Sequence, residues 1–306
     1  MIIVDLHQVL ISNLMAQMNR VSFQKGTEPG IANIEMVRYM VCNSIKGYIR
    51  KFGNEYGKDL VLACDSGNPW RRDFFPQYKA SRRTSREDSK NDWNALFSLI
   101  HDIKEELKDN FPYKVIAIDN AEADDIIGVI VKMQTEDKYL IVSGDKDFKQ
   151  LQKYSNVSQY SPIQKHMVVE DNPTRYLHEQ IIKGDRSDGI PNILSADDVF
   201  ITKTKQSPIT KKKLEEWSNI ENIPLGSETK KNFNRNKKLI DLSQIPLTIQ
   251  ENIINKYKGY KVPSRSLLLP YFIENKMKSM MEVISDFWNI YGVNNGRTTK
   301  PKPTLN

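Results

Sequence analysis

The 306-residue sequence lacks the features of several common protein classes. It has only two cysteines, Cys42 and Cys64, and their spacing fits neither a metal site nor a disulfide framework, which indicates buried, reduced thiols. No apolar stretch approaches the roughly 18 residues of a membrane span. Asp5 also interrupts any signal-peptide core at the start of the chain. We therefore expect a soluble, cytoplasmic protein without membrane partners.

The sequence also lacks the side-chain sets of hydrolases that use a protein nucleophile. Its four histidines are scattered, and no Ser-His-Asp or Cys-His arrangement is apparent. No internal repeat is detectable either. The composition is otherwise ordinary for a soluble protein, and the length suits one large domain or two smaller ones.

Acidic residues follow four short apolar runs in the first half of the chain. Short, β-rich apolar runs that alternate with amphipathic segments are typical of parallel strands and helices. We therefore expect an α/β fold, with a mostly parallel central sheet flanked by helices. The acids are Asp5, Asp65, the group Glu122, Asp124 and Asp125, and the pair Asp145 and Asp147.

Ligands of an open α/β sheet bind beyond the carboxyl ends of its strands, so these acids should converge in one crevice. Asp185 and Asp188 bring the set to nine. So many carboxylates repel each other and stay ionised together only when cations lie between them. Oxygen ligands favour two Mg²⁺ ions, with Mn²⁺ as an alternative. Such a pair can activate water for hydrolysis at phosphorus.

The acids at 122–125 also have a purely structural interpretation. Asn120 is expected to cap the helix that follows, and acids in a first helical turn are favoured by the helix dipole. For Asp125 alone, the structural role and the metal role are equally open.

The rest of the chain is basic. The formal net charge is +7 even with the nine acids counted, which suits a polyanionic substrate, although a lysine-rich surface can also serve solubility alone. In residues 70–92, aromatic side chains alternate with cations, as in proteins that bind single strands. Lys79 and Arg82 are the candidates for contact with the scissile phosphate. Other backbone contacts are expected from Arg71, Arg72, Arg83 and Arg86.

The aromatic residues Trp70, Phe74 and Phe75 of this segment are expected to pack beneath a loop.

A second basic segment, residues 203–238, holds ten Lys or Arg against four acids and is broken at Pro208 and again near Pro224. A helix-turn-helix-like element that grips duplex DNA and a merely solvated face are both open for it. Its candidate nucleic-acid contacts are Lys203, Lys205, Lys211, Lys212 and Lys213.

The order of these motifs resembles that of the flap-endonuclease family of structure-specific 5′ nucleases. Within the family, the likeness is to the branch formed by the ribonucleases H of T-even-like bacteriophages, and it covers roughly residues 1–290. The motifs are Asp5, Asp65, Trp70-Arg71-Arg72-Asp73, Glu122-Ala123-Asp124-Asp125, Asp145-Lys146-Asp147-Phe148 and Gly184-Asp185-Arg186-Ser187-Asp188.

The resemblance implies a Mg²⁺-dependent, two-metal hydrolase that cuts phosphodiesters 5′→3′ in RNA primers of RNA·DNA hybrids and in DNA at 5′ ends, flaps or nicks. It implies a monomer that meets a single-strand-binding protein and a sliding clamp. Asp5, Asp65, Glu122, Asp124 and Asp145 would surround the first metal, and Asp147, Asp185 and Asp188 the second. Lys79, Arg82 and Glu122 would take part in catalysis.

The same resemblance implies a nuclease core at 1–180 with a basic arch at about 70–92, a helical DNA-binding region at 181–290 and a flexible tail at 291–306. The glycine-rich hairpin that holds potassium in many members is missing after Asp188, so no potassium site is expected.

Two other functions are open on the residues alone. An aspartyl-phosphate phosphatase would use Asp5 as nucleophile, but His7 stands where a second acid is usual. A protein that binds branched DNA without cutting would need site acids to be missing.

Overall fold

The computed structural model describes residues 1–22, 33–57, 59–133, 138–217, 222–223 and 226–288, so the predicted tail lies outside the described residues. Its strands form a single six-stranded sheet. They are β1 (Ile2–Asp5), β2 (Leu60–Cys64), β3 (Lys114–Ala117), β4 (Tyr139–Val142), β5 (Val157–Ser161) and β6 (His166–Val168). The strand order is β3-β2-β1-β4-β5-β6, and only β6 is antiparallel to its neighbour. The predicted fold class is confirmed.

Helices cover both faces of this sheet. They are α1 (Leu6–Ser22), α2 (Ile34–Tyr56), α3 (Trp70–Phe74), α4 (Ala80–Glu87), α5 (Trp93–Asn110), α6 (Ala123–Lys132), α7 (Pro173–Lys183), α8 (Lys211–Glu216), α9 (Ser227–Ile240), α10 (Leu247–Gly259), α11 (Leu268–Glu274) and α12 (Lys278–Met281). Turns of 3₁₀ helix span Lys146–Lys153, Leu242–Gln244, Arg265–Leu267 and Ile284–Phe287. In the described part of the chain, no helix combines the length and apolar character needed to cross a membrane.

Alternate side chains of each central strand enter two different cores. Ile2 and Val4 of β1 pack with α1, α2, α5 and α11, whereas Ile3 packs on the other face with α6 and α10. A strand in which every residue is buried must be covered on both faces, as a parallel sheet requires. A third, smaller cluster lies under α7 and α9 and includes Tyr78, Ile182 and Phe233.

The strand order creates one crevice. The chain leaves β1 for β2 on one side and reaches β4 on the other, so the connections diverge between β1 and β4. At such a switch point the loops after the strands separate and leave room for a ligand. Asp5 ends β1, and Asp145 follows β4 by a short turn, so both lie at this point.

The second basic segment differs in part from the helical prediction. Residues 205–210 have no regular secondary structure, and the six-residue α8 and the longer α9 follow, joined by a connection that lies partly outside the described residues. On α9, Arg235 is buried and binds the carboxylate of Asp197, and it also donates to the carbonyl of Pro191 at 2.9 Å. Asn236 donates to the same carbonyl at 2.8 Å, so α9 fixes the turn that carries Asp185 and Asp188.

Candidate active site

The carboxylates of Asp5 and Asp65 lie at the ends of neighbouring strands. Asp5 is buried, and its oxygens accept hydrogen bonds from the backbone N–H of Gln8 and from the hydroxyl of Ser143, both at 3.0 Å. Asp65 accepts the backbone N–H of Ala123 at 2.8 Å, which ties the end of β2 to the start of α6. These two hydrogen bonds orient the carboxylate of Asp5, and each of its oxygens keeps a further acceptor site.

Three further acids lie at the start of α6. Glu122 is the N-cap, and its backbone N–H donates to Asp125 at 3.0 Å. The prediction that Asn120 caps this helix is wrong, because Asn120 occupies the turn before it with a φ of +62°. Asp125 is fully buried and also accepts the indole N–H of Trp70 at 3.1 Å, which supports the structural interpretation of that residue.

The remaining acids come from two tight turns. Asp145 caps the 3₁₀ helix at Lys146–Lys153 by accepting the N–H of Asp147 at 2.9 Å, and Gln180 of α7 donates to Asp147. Asp185 and Asp188 lie in a turn closed by hydrogen bonds between Asp185 and Ile190. Folding therefore brings together acids that are up to 183 positions apart in the chain, from Asp5 to Asp188.

Electrostatics shows that the eight predicted metal ligands form one network. Burial, followed by repulsion from Asp65, raises the pKa of Asp5 to about 7. Burial and then the charge of Asp145 raise the pKa of Asp147 to about 8. Burial and Asp145 likewise raise the pKa of Asp124 well above its ordinary value, with smaller contributions from Asp5 and Glu122.

Basic side chains neutralise only some of these acids. Lys79 lies 2.6 Å from Glu122 and 3.5 Å from Asp188. Arg82 contacts Asp188 at 2.6 Å. Lys146, which the sequence reading passed over, contacts Asp185 at 2.8 Å. Burial raises the pKa of Glu122, but the charges of Lys79 and Arg71 outweigh it, so the net effect is a lowered pKa. At Asp188 the effect of burial is larger than that of Lys79 and Arg82, so its pKa is raised.

Arg71 corrects one prediction. It was expected to contact a nucleic-acid backbone, but its side chain is buried beneath α9. Its guanidinium donates to Glu122 at 3.1 Å, to Asp125 at 3.0 Å and to the carbonyl of Leu239 at 2.9 Å. With its donors used inside the protein, Arg71 holds the acidic site in place and has no surface to offer a phosphate.

Four acids keep no basic partner within ion-pair distance among the described residues: Asp5, Asp124, Asp145 and Asp147. Asp65 has only the ring of His7, at 3.9 Å. Carboxylates alone are a hard donor set suited to Mg²⁺ or Mn²⁺, so the residues present fit such ions. As the side chains stand, no three His, Cys, Asp or Glu groups in the described ranges are grouped tightly enough to hold an ion.

The predicted basic contacts separate into two places. Lys79, Arg82, Arg72, Arg83 and Arg86 line a cavity of about 510 Å³ beside Asp65 and Glu122, between α4 and α5. The predicted arch therefore contains the two short helices α3 and α4. Lys203, Lys205, Lys211, Lys212 and Lys213 are exposed on the protein surface, and none of them lines this cavity.

The sequence reading missed several side chains that position the acids. The hydroxyl of Tyr78 lies 2.9 Å from Glu122 and 3.1 Å from Asp188, so it bridges the two halves of the acidic set. Ser143 and Gln180 orient Asp5 and Asp147. His7, set aside as uninformative, lines the cavity. Their only signal in the sequence is proximity to candidate site residues, as for Tyr78 next to Lys79 and Ser143 two residues before Asp145.

Comparisons with known proteins agree with this arrangement. Residues 1–181 match the model of the 5′-3′ exonuclease N-terminal resolvase-like domain, and residues 174–287 match that of the C-terminal domain of T4 RNase H. The chain is 35% identical to the Ribonuclease H of Enterobacteria phage T4 over 267 residues, which is 83% of this chain and 88% of that protein.

Two solved structures show the same fold at lower identity. One is the flap endonuclease of bacteriophage T5 in a pseudo-enzyme–product complex with DNA and metal ions, with a TM-score of 0.57, 17% identity and coverage of 93% of this chain and 98% of that one. The other is the T5 5′-exonuclease with bound zinc ions, with a TM-score of 0.56, 17% identity and coverage of 93% and 99%. The resemblance inferred from the motifs is confirmed, and the chain belongs to the 5′-3′ exonuclease family, with a C-terminal domain of the T4 RNase H type.

Proposed function

We propose that the chain is a structure-specific 5′→3′ nuclease that hydrolyses phosphodiesters with the help of two Mg²⁺ ions, or Mn²⁺ in their place. One observation carries the proposal: Asp5, Asp124, Asp145 and Asp147 converge at the carboxyl edge of the sheet without basic partners of their own. Neighbouring carboxylates without basic partners stay ionised only when cations lie between them. Divalent ions at such a site can activate a water for attack on the phosphorus of a phosphodiester. Membership of a 5′-3′ exonuclease family supports the same reaction.

The proposed roles of the side chains follow from their positions. Asp5, Asp65, Glu122, Asp124 and Asp145 would hold the first ion, and Asp147, Asp185 and Asp188 would surround the second. The chemistry supplied by bound ions is a water of lowered pKa and neutralisation of charge at the phosphate. Ser143, Gln180 and Tyr78 keep the carboxylates oriented. Lys79 and Arg82, which line the cavity, would donate hydrogen bonds to the scissile phosphate.

The proposed substrates are RNA in RNA·DNA hybrids and branched or nicked duplex DNA, cut at 5′ ends or flaps. The relative named Ribonuclease H and the DNA-bound T5 structure support nucleic acid as the substrate class. The exposed lysines at 203–213 would hold the duplex backbone. Contact with a single-strand-binding protein and a sliding clamp is proposed from the resemblance alone. The phosphatase and the non-cutting alternatives have less support, because His7 stands two residues after Asp5, none of the nine acids is missing from the sequence, and the matching family model is that of a 5′-3′ exonuclease.

The direct test is cleavage of a 5′-labelled flap and a 5′-labelled RNA primer annealed to DNA. We expect short products from the 5′ end when Mg²⁺ is present and intact substrate when EDTA replaces it. Cleavage that survives chelation would refute the metal requirement. Products that begin at the 3′ end would refute the polarity.

Asp145→Asn separates chemistry from binding. Asp145 has no basic partner among the described residues and contributes to the raised pKa of Asp124 and of Asp147, so its charge belongs to the proposed metal site. We expect this variant to lose cleavage and to keep its affinity for the flap duplex, measured by a gel-shift assay in EDTA. Loss of both together would indicate a structural role for Asp145 instead.

A further inference from the structure

A second groove lies on the outer side of α3, against α9. It has a volume of about 900 Å³ and is lined by Phe74, Lys230, Lys231, Asn234, Lys237 and Lys238, among others. Phe74 was expected to pack under a loop, as its neighbours Trp70 and Phe75 do, but 49% of its surface is exposed. A half-exposed phenyl ring at the edge of a basic groove is unexplained by the fold, because α3 is already anchored by Trp70 and Arg71.

The charge of this groove is concentrated on one helix face. Lys230, Asn234 and Lys237 follow one another at spacings of four and three residues, which places them in a row along α9. Lys230 and Lys237 have no carboxylate within ion-pair distance in the described part of the chain, and Lys231 has only the exposed Glu228, at 3.7 Å. Asp197, the one acid in the groove, is already bound by Arg235. The row is therefore an unneutralised cationic surface.

The groove and the acidic site both involve α3 and α9. The guanidinium of Arg71 donates to the carbonyl of Leu239, near the end of α9, and to Glu122. Phe74, three residues further along the same short helix, lines the groove. Arg72, also in α3, lines the cavity beside Asp65 and Glu122, so this helix contributes side chains to both places.

We propose that this groove binds a single-stranded stretch of the nucleic-acid substrate, with Phe74 stacking on a base and Lys230 and Lys237 contacting its phosphates. The inference rests on the proposed nuclease function and adds a second contact surface to it. Alternation of an exposed ring with cations suits a single strand, whose bases are free to stack, better than a duplex, whose bases are enclosed. The carboxylates of an acidic protein could form ion pairs with the lysines, but they would offer the ring of Phe74 no base to stack on.

The first test measures affinity without cleavage. A fluorescent deoxythymidine strand of about 12 nucleotides, within the site sizes of such proteins, would be titrated in EDTA and followed by anisotropy. We expect Phe74→Leu to weaken binding roughly 5-fold or more and Phe74→Trp to preserve it, because stacking needs a ring and not merely an apolar group. With a base-free strand of equal charge, Phe74→Leu should bind as the unaltered protein does.

The second test isolates the lysines. The double variant Lys230→Gln/Lys237→Gln should make the dependence of log affinity on log salt shallower by about 1.4, since each lost phosphate contact on a single strand removes about 0.7. The matched control is Lys256→Gln/Lys258→Gln, two exposed lysines at the far end of α10. An equal change in both double variants would mean that net charge alone is responsible, and the proposed groove site would be rejected.

Cleavage separates failure of this inference from failure of the proposed function. If the unaltered protein does not cut a 5′ flap with Mg²⁺, the nuclease proposal fails. If it cuts, but Phe74→Leu and the lysine variant bind the labelled strand as tightly as before, the groove proposal alone fails. Displacement of the labelled strand by blunt duplex as readily as by unlabelled single strand would also overturn it, in favour of a duplex surface.

Discussion

Lys79 occupies a position that a metal would also use. Its ammonium lies 2.6 Å from Glu122, so it competes with a cation for that carboxylate. We expect Lys79→Met to bind Mg²⁺ more tightly, because Glu122 loses a partner, and to cleave roughly 10²- to 10³-fold more slowly, as is typical when a donor to the transition state is removed. Calorimetric titration with Mg²⁺ and single-turnover cleavage would measure the two effects. Lys183→Met, on the exposed end of α7, is the control, and parallel loss of metal affinity and rate in Lys79→Met would contradict this role.

Arg71 should matter for stability before it matters for activity. Removing one partner of a buried ion pair costs about 3 to 5 kcal/mol, because the other charge stays buried without compensation. Arg71→Met leaves Asp125 in that state and removes one of the two cations at Glu122, which keeps Lys79. We expect a loss of free energy of unfolding of this size in a urea titration. The neighbouring Arg72→Met, on an exposed side chain, should change it by no more than about 0.5 kcal/mol. A smaller difference between the two would show that Arg71 is dispensable for the fold.

The sequence predicted the locations of the acidic side chains better than those of the arginines. A carboxylate at the end of a parallel strand has one expected location, and Asp5, Asp65 and Asp145 occupy it. An arginine gives no such indication, because its long side chain suits a surface and a buried pair equally. The buried position of Arg71 depends on its hydrogen bond to the carbonyl of Leu239, which lies 168 positions away in the chain. Only the tertiary structure supplies that partner.

The turn that carries Asp185 and Asp188 depends on a glycine. Gly184 has a φ of +69°, and a Cβ there would lie 2.3 Å from the carbonyl oxygen of Ile190. We expect Gly184→Ala to destabilise the protein by several times the roughly 1 kcal/mol typical of point substitutions and to displace both acids. Gly47→Ala, in the interior of α2 with nothing within 4 Å, should instead stabilise by about 0.5 to 1 kcal/mol. Thermal melts of the two variants would test the contrast, and similar melting temperatures would contradict it.

Among the elements, β1 to β4 were predictable because burial on both faces of a sheet demands a short apolar run. The short helices were not. The five residues of α3 contain Trp70 and Phe74, whose pattern predicts neither a helix nor which of the two rings is buried. Trp70 is covered because its indole reaches Asp125, while Phe74 finds no equivalent partner in the described structure and stays half exposed. Contacts from elsewhere in the chain decided the outcome.

At the scale of the whole molecule, the C-terminal third returns to cover the sheet. Ile249 and Ile253 of α10 pack on one face with Ile3, and Phe272 of α11 packs on the other with Ile2. Tyr271 donates to Glu106 at 2.9 Å, and Arg38 binds the same carboxylate at 2.6 Å. An amphipathic pattern can predict that a helix buries one side. It carries no information about which face of a distant sheet that helix covers.

The concentration of acids at one edge of the sheet makes the stability of the whole molecule sensitive to divalent ions. Without them, Asp124 faces Asp145, Asp5 and Glu122 with no basic partner of its own among the described residues. We expect Mg²⁺ at about 100 times its dissociation constant to stabilise the protein by about 2.7 kcal/mol. In a chain of 306 residues that corresponds to a rise in melting temperature of about 4 °C.

Asp124→Asn should weaken this response to Mg²⁺. In EDTA the variant should melt at a higher temperature than the unaltered protein, because one mutually repelling charge is gone; with Mg²⁺ it should gain less, because one proposed ligand is gone. Scanning fluorimetry in EDTA, in MgCl₂ and in KCl of equal ionic strength would separate specific binding from general screening, which weakens all exposed charge interactions alike. Asp102→Asn, on the exposed side of α5, provides the matched control. A melting temperature that KCl raises as much as MgCl₂ does would mean that the acids are relieved by screening, and that no divalent site is formed.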